Sequence, residues 1–473
     1  MNRRDDILPA AFKYQEYIRA QINRLKRTAV IAPPGSGKTR PIVEGVNDLG
    51  GFNQVVLVVC SGSAISTWVR QIPLWSRCPE YADFIRVVRG NKADRVDLWE
   101  QSASEGFGTY ITNFSIFYRD YDMIRNTDWK VVIADEYHKY MRSHKLHVRA
   151  RLKTYGMFKQ MTRHTDIMVL ASGSLVRRNA ASMFTAFQLV NQFLFSSYWR
   201  FVNTYCFVDA TPFGQQVHGV KNVEALRERM NEHLAYIPDS VCADALPKGR
   251  RYGIDAEITP EQKRIYNDLE KDMIAIAGDS IIITPTVLGK LMKQRQLLCC
   301  PKILDPSLGM GGGYEAILDK LDQDAHVIIF VPFRPACDYV QEDLIQHGYK
   351  NTFILRGGVD EVEQQEILQE FRETKGIIVC TIQYAESWDA DSCKTSYFLG
   401  YDLTVDQNEQ AEGRTRRAIS EHKFVTWGYI KTNTPLDDHF LHKLGDDQTN
   451  ARLILQRPEE YIRKLTQRFN DAT

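Results

Sequence analysis

Three short stretches of this chain carry residue types whose spacing suits chemistry on a phosphate. The first is Ala32-Pro33-Pro34-Gly35-Ser36-Gly37-Lys38-Thr39, preceded by the apolar Ala29-Val30-Ile31 and followed by Pro41-Ile42-Val43-Glu44. A strand, a glycine-rich turn and a helix N-terminus in that order form a cradle whose backbone N–H groups point at phosphate oxygens. Lys38 then reaches the outer phosphates, and Thr39 offers its hydroxyl to Mg²⁺. Glycine at 35 and 37 allows a tight turn and a close backbone approach to the anion.

The second stretch is Val131-Val132-Ile133-Ala134-Asp135-Glu136-Tyr137-His138. A buried strand ending in two carboxylates places both at the ligand-bearing end of a parallel sheet. Asp135 suits the hydration shell of Mg²⁺, and Glu136 suits orienting and deprotonating an attacking water. The third is Gln410-Ala411-Glu412-Gly413-Arg414-Thr415-Arg416-Arg417. Arg414 and Arg417 are three apart and are expected on one helix face. They are placed to reach a γ-phosphate, where an arginine at the transition state is worth roughly 10³–10⁵ in rate. Arg416 points elsewhere, toward the surface or a nucleic-acid backbone.

These residues need a scaffold of parallel strands. Continuous apolar runs recur at Val55–Cys60, Tyr110–Thr112, Val131–Ala134 and Ile167–Ala171, and again at His326–Val331, Thr352–Leu355, Gly376–Cys380, Ser396–Leu399 and Phe424–Trp427. Unbroken apolar runs suit strands buried on both faces by helices. Between about 180 and 310 the pattern turns helical and charged, as in Val223–Leu234 and Glu261–Ile276. The run Leu308-Gly309-Met310-Gly311-Gly312-Gly313 reads as a linker and hinge. The expected fold class is α/β, with one parallel-sheet lobe over 1–185, a helical insert over 186–308 and a second lobe over 309–473.

Composition narrows the partners. The chain has 473 residues, a net charge of +1, 44% hydrophobic and 25% charged residues. A near-neutral balance gives no global pull toward nucleic acid, so such binding must come from a local groove. The nine cysteines form no paired CxxC pattern, and neither His144 with His147 nor His439 with His442 has an evident third ligand, so no zinc is expected. No apolar run reaches the ~18 residues needed to span a membrane, and Met1–Asp6 begins no secretory segment. A cytoplasmic protein is expected by default. The basic stretch from Arg142 to Arg163 reads as a solvated face, with a DNA-facing surface as the alternative, and the aromatics from Phe193 to Phe207 read as core, with base stacking as the alternative.

Taken together the motifs resemble the superfamily 2 helicases and translocases, Snf2-like branch, in the compact form of phage and bacterial members, which implies the cytoplasm of a bacterial or phage-infected cell. Phe12-Lys13-Tyr14-Gln15 looks like the element ahead of the phosphate loop, which implies that Gln15 recognises adenine. Val58–Ser63 with the downstream Trp68 resembles motif Ia, and Ile111-Thr112-Asn113-Phe114 resembles motif Ib. Asp135-Glu136-Tyr137-His138 is a DExH-type motif II, and Leu170-Ala171-Ser172-Gly173-Ser174-Leu175 is similar to motif III. Leu246-Pro247-Lys248 with Ile258–Gln262 looks like the entry to a Snf2-type helical protrusion, and Leu291–Pro301 looks like its exit. Val327–Phe330 matches motif IV, Leu355–Gly358 the next strand and turn, and Asp402 with 410–417 motif VI. Thr381–Trp388 lacks the glycines usual in motif V.

The resemblance implies two RecA-like lobes that close on ATP and Mg²⁺ and step along a strand. Pro34, Gly35, Ser36, Gly37, Lys38 and Thr39 would hold ATP, with Mg²⁺ between Thr39 and Asp135. Catalysis would fall to Lys38, Asp135, Glu136, Arg414 and Arg417. His138, Ser172, Ser174 and Gln410 would couple the ATP site to the track. Ser61, Ser63, Thr112 and Asn113 on one lobe, and Arg334, Arg356 and Thr381 on the other, would grip DNA phosphates without reading sequence. The implied activity is ATP-dependent translocation on, or unwinding of, duplex or branched DNA at forks and at recombination or repair intermediates, alongside replication or recombination proteins. A DExH-type RNA helicase, or an ATP-driven clamp or motor subunit of a larger nuclease or remodelling complex, are the alternatives.

Overall fold

The computed structural model describes residues 9–438, apart from 142–146, 149–150, 174–179, 196, 212–213, 243, 360, 386–387, 419 and 421. The chain divides into two compact units between Ala245 and Leu246.

In the first unit, seven strands form one parallel sheet: β1 Arg27–Ile31, β2 Val55–Cys60, β3 Ile85–Val87, β4 Gly108–Asn113, β5 Val131–Asp135, β6 Ile167–Ser172 and β7 Leu234–Tyr236. Their order across the sheet is β7-β1-β6-β5-β2-β4-β3. All six residues of β2 are buried, and so are all six of β6. This is the double-sided burial that unbroken Val/Ile/Leu runs require. Helices α1 Lys13–Leu25, α2 Thr39–Asp48, α3 Ile65–Trp75 and α4 Phe114–Ile124 belong to the same unit. The parallel register puts three motif-bearing ends side by side. Ile31 pairs with Ser172, and Ala171 pairs with Asp135. The chain therefore leaves β1, β6 and β5 at the same end of the sheet.

The second unit holds six parallel strands: β8 Lys248–Asp255, β9 Val327–Val331, β10 Thr352–Leu355, β11 Ile377–Thr381, β12 Thr395–Phe398 and β13 Phe424–Lys431, ordered β8-β13-β12-β9-β11-β10. The stretch 186–308, expected as a helical insert, thus contributes β7 to the first sheet and β8 to the second.

The glycine run behaves differently from a linker. Gly312 and Gly313 open a short helix, Gly312–Leu318, and both are buried. A Cβ on Gly312 would lie 1.8 Å from the carbonyl oxygen of Glu257, and Gly311 sits at φ +89° against Gln262. The Gly312 N–H donates to Gln262 Oε1 at 3.0 Å. These glycines are needed for close backbone approach inside the second unit, which corrects the expectation of a hinge at 309–313. No helix among the described residues is long and apolar enough to cross a membrane.

Candidate active site

The loop after β1 has the geometry of an anion cradle. Gly35 and Gly37 have φ of +80° and +71°, which a Cβ-bearing residue adopts only at a cost. Thr39 opens α2, and among the described residues no side chain caps that helix N-terminus. Its first N–H groups are left for an anion, where the helix dipole favours negative charge. Ser36 is fully buried, and its Oγ has no hydrogen-bond partner among the described residues. A buried hydroxyl without a partner is costly unless something supplies one, and a phosphate oxygen would. The residues present therefore fit a nucleotide phosphate.

The loop is held from below by α1. Tyr14 Oη donates to the Ser36 carbonyl at 2.7 Å. Gln15 Nε2 donates to the carbonyls of Ser36 at 3.3 Å and Gly37 at 3.2 Å. A Cβ on Gly37 would come within 2.9 Å of that same amide nitrogen. Gln15, expected to recognise adenine, here braces the loop. Lys38 Nζ donates to the carbonyls of Ala32 at 3.1 Å and Pro33 at 3.4 Å, inside the turn that it would leave to meet a phosphate.

Asp135 ends β5. Its Oδ2 accepts from Trp68 Nε1 at 3.1 Å and its Oδ1 from the Glu136 N–H at 3.0 Å. Burial, followed by the neighbouring charge of Glu136, raises the Asp135 carboxyl from its ordinary value to about 6, against the opposing pull of Lys38 and the Trp68 hydrogen bond. Such a group wants a cation beside it. Glu136 is in the left-handed region at φ +50°. That is uncommon for a long side chain and is the kind of strain that functional sites retain. Behind the pair, His138 Nδ1 lies 2.7 Å from Ser172 Oγ and 3.4 Å from Glu136 Oε2. His138 and Ser172 are buried and in direct contact, so the end of β6 is tied to the carboxylates of β5. Ser174 lies outside the described residues.

In the second unit the helix Val405–Glu412 carries Gln410, and it stops before the arginines. Arg414 and Arg417 therefore do not share a helix face; Gly413 caps the helix and the chain turns. The two guanidinium groups still converge. Arg414 Nη1 donates to the Trp388 carbonyl at 2.5 Å, and Arg417 Nη2 donates to the same oxygen at 2.9 Å. Arg414 is buried and also donates through Nε to the Gln410 carbonyl at 3.0 Å. Arg417 pairs with Asp389, while its buried Nε has no partner among the described residues. Arg416 Nε is bound to the Pro247 carbonyl at 2.8 Å.

A family model described as the SNF2-related domain matches residues 16–303, and the helicase conserved C-terminal domain matches residues 313–419. The first match alone spans more than half of the chain. The chain belongs to the SNF2-related family. An ISWI chromatin-remodeling complex ATPase of Arabidopsis thaliana is 23% identical over 344 residues, covering 67% of this chain and 30% of that protein. Chromodomain-helicase-DNA-binding protein 7 of Homo sapiens is 21% identical over 440 residues, covering 83% of this chain and 14% of that protein. The chain thus spans less than a third of the length of either relative. Among solved structures, the Sulfolobus solfataricus SWI2/SNF2 ATPase core in complex with dsDNA has 15% identity and a TM-score of 0.42, covering 95% of this chain and 97% of that one.

In this SNF2-related chain the expected grip residues differ in what they can offer. Ser61 Oγ and Ser63 Oγ lie 3.4 Å apart at the end of β2. Asn113 Oδ1 caps α4 through the Ile116 N–H at 2.9 Å. Thr112 is fully buried and donates to the Val88 carbonyl at 3.0 Å, so its hydroxyl faces the protein interior and not a ligand. Arg334 is exposed beside Gly358, whereas Arg356 pairs with Asp338 at 2.6 Å. Thr381 is buried at the end of β11.

Two contributors were not expected as site residues from sequence. Trp68 was visible only as the tryptophan downstream of motif Ia. The other is Arg251 on β8, which donates to both carboxylate oxygens of Glu412 at 2.5 and 2.7 Å. Tyr429 Oη also donates to Glu412, at 2.8 Å. This fork fixes the helix that precedes the arginines. Its sequence signal, an Arg in Lys248–Asp255 and a Glu far along the chain, carries no spacing that could be read.

Proposed function

We propose that this chain is an ATP-driven motor that moves along duplex or branched DNA. The observation that carries this reading is the meeting, at the ends of three adjacent strands, of the 32–39 loop, the Asp135–Glu136 pair and Ser172. A nucleotide site so built suits hydrolysis of the γ-phosphate bond. Ser36 Oγ and the α2 N–H groups would take phosphate oxygens, and Lys38 would leave the Ala32 and Pro33 carbonyls for the outer phosphates. Glu136 would align and deprotonate the attacking water. Thr39 and Asp135 would hold Mg²⁺, which when bound supplies charge neutralisation at the phosphates. Arg414 and Arg417 would stabilise the transition state, with Arg417 the more available of the two.

The His138–Ser172 contact is the route we assign for carrying the state of the phosphate to the next loop. Ser61, Ser63, Asn113 and Arg334 are the residues we assign to DNA phosphates, and Gln410 to the coupling of nucleotide and track.

Stimulation of ATP hydrolysis by duplex DNA, fork DNA and RNA, measured on the purified chain, tests the reading. DNA-stimulated turnover that is lost in Lys38→Ala and in Glu136→Gln is expected. Stimulation by RNA alone would move the chain to the RNA-helicase alternative, and unaltered turnover in either variant would overturn the site. Triplex displacement against fork unwinding then separates translocation from strand separation.

A further inference from the structure

The first unit has a cavity at the far end of β1 from the 32–39 loop. The loop follows Ile31, whereas this cavity is built around Arg27, the first residue of the strand. Five residues of strand, roughly 15 Å, separate the two. Its volume is about 250 Å³.

Three cations wall it: Arg27, Lys159 and Arg163. Among the described residues that line it there is no aspartate and no glutamate. Asp166, the nearest carboxylate in sequence, acts on Lys130. Arg27 is held rigidly. Its Nη1 donates to the carbonyls of Thr162 at 2.9 Å and Thr165 at 2.8 Å, and its Nη2 to that of Leu189 at 2.8 Å. Carbonyl dipoles orient the guanidinium but leave its charge uncancelled, and burial lowers its proton affinity. Lys159 reaches Gln188 Oε1 at 2.9 Å, and it too is disfavoured as a cation, by burial and then by Arg163. Two partly buried cations, Arg27 and Lys159, with the exposed Arg163 beside them and no counter-charge among the described lining residues, are a standing electrostatic cost that an anion would relieve.

A second observation is independent of charge. Thr165 lines the same cavity and is buried, and its Oγ1 has no hydrogen-bond partner among the described residues. A ligand that accepts a hydrogen bond would satisfy it. The number of cations narrows the anion: a carboxylate would leave two charges standing, whereas a phosphate monoester carries about −1.5 to −2 at neutral pH and three acceptor oxygens. The volume exceeds what one phosphate fills, and Phe193, 86% exposed, stands at the rim as an apolar face for an organic body.

We propose that the cavity at the start of β1 is a phosphate-monoester site, with Arg27, Lys159 and Arg163 as its cationic walls and Thr165 Oγ1 as a donor. The phosphate is carried either by a small metabolite or by the 5′ end of a nucleic-acid strand. The site does not rest on the nucleotide reading of the 32–39 loop.

The test is calorimetric titration at low salt of the full chain carrying Lys38→Ala, which silences the loop. The probes are glycerol 3-phosphate, and a short oligonucleotide with and without a 5′-phosphate. Thr165→Val and the surface pair Lys159→Ala with Arg163→Ala are the variants, because Arg27 also holds the fold. Glycerol 3-phosphate should bind, and each variant should weaken it about tenfold or more, as loss of a charge-assisted hydrogen bond implies. The same dependence seen only with the 5′-phosphorylated strand also supports the site and identifies the strand end as its ligand. Binding of neither probe, or binding unaffected by both variants, overturns the proposal.

Discussion

The indole N–H of Trp68 donates to Asp135 Oδ2 at 3.1 Å, so a helix residue far from the strand in sequence favours the charged carboxylate at its end, against the larger upward push of burial and Glu136. Hydrogen bonding to the charged form is the term that lowers a carboxyl pKa. Trp68→Phe removes the donor and keeps an aromatic ring in a buried position. Bonds to charged groups are worth about 1.5–3 kcal/mol, so the acid limb of the ATPase pH profile should move up by about one unit and the Mg²⁺ requirement should rise. An unshifted limb with unchanged Mg²⁺ dependence would show that Trp68 only packs.

Asp135 also predicts how the nucleotide-free protein responds to pH. Its folded value is raised from 3.8 to about 6, so between those values the native state binds more protons than the unfolded state. Stability from this group is then highest below about pH 4 and is lost as pH rises through 6. Asp135→Asn cannot ionise. In Mg²⁺-free buffer at pH 8 it should be more stable than the parent by about 1 kcal/mol, after discounting for the partial exposure of the site, and it should show less loss of stability between pH 5 and 8. It should also lose turnover. Denaturant melts at the two pH values check the sign; a parent that gains stability across that window, relative to Asp135→Asn, contradicts it.

Much of this arrangement was legible because chemistry at the ends of parallel strands leaves contiguous signals. The 32–39 loop and the 131–136 run each combine an apolar strand with its functional tip, and both strands appear where expected. What stayed hidden was set by distance along the chain. Lys248–Asp255 has the sequence KGRRYGID, with most of its residues exposed on the edge of the second sheet. No apolar run marks it, and only pairing with Phe424–Lys431 makes it a strand. The 309–313 glycines were misread for the opposite reason. Local composition suggests flexibility, while the carbonyl of Glu257 that requires glycine at 312 lies more than fifty residues earlier. Arg414 and Arg417 have helical spacing, but the helix ends at Glu412 and the convergence on Trp388 is made by a turn.

That convergence separates the roles of the two arginines. Arg414 is buried, with Nε and Nη1 on backbone carbonyls, whereas Arg417 is paired with Asp389 near the surface. Arg414→Ala should remove a buried side chain with two carbonyl hydrogen bonds, leaving Arg417 alone on the Trp388 carbonyl, and lower stability by about 1–3 kcal/mol. Arg417→Ala should leave the melt nearly unchanged and nucleotide binding intact, while turnover falls by about 10³. Thermal melts alongside fluorescent-nucleotide binding and ATPase rates distinguish the two. Equal loss of stability in both variants would mark Arg417 as structural.

Gly309 and Gly312 separate a packed glycine run from a free linker. Nothing lies within 4 Å of a Cβ built on Gly309, while one built on Gly312 would sit 1.8 Å from the Glu257 carbonyl oxygen. Neither residue has a positive φ, so the difference between them is space alone. In a linker, alanine at either position would be tolerated and would slightly favour the folded chain by restricting the unfolded one. In the packed arrangement Gly309→Ala stays within about 0.5 kcal/mol of the parent. Gly312→Ala must push Glu257 or the helix start aside, at a cost of about 3 kcal/mol or more, the upper end of what overpacking a core incurs. The backbone shift would also disturb the Gly312–Gln262 hydrogen bond. Denaturant melts of the two variants decide between the arrangements, because equal midpoints would restore the linker and a large gap would place Gly312 in the core of the second unit.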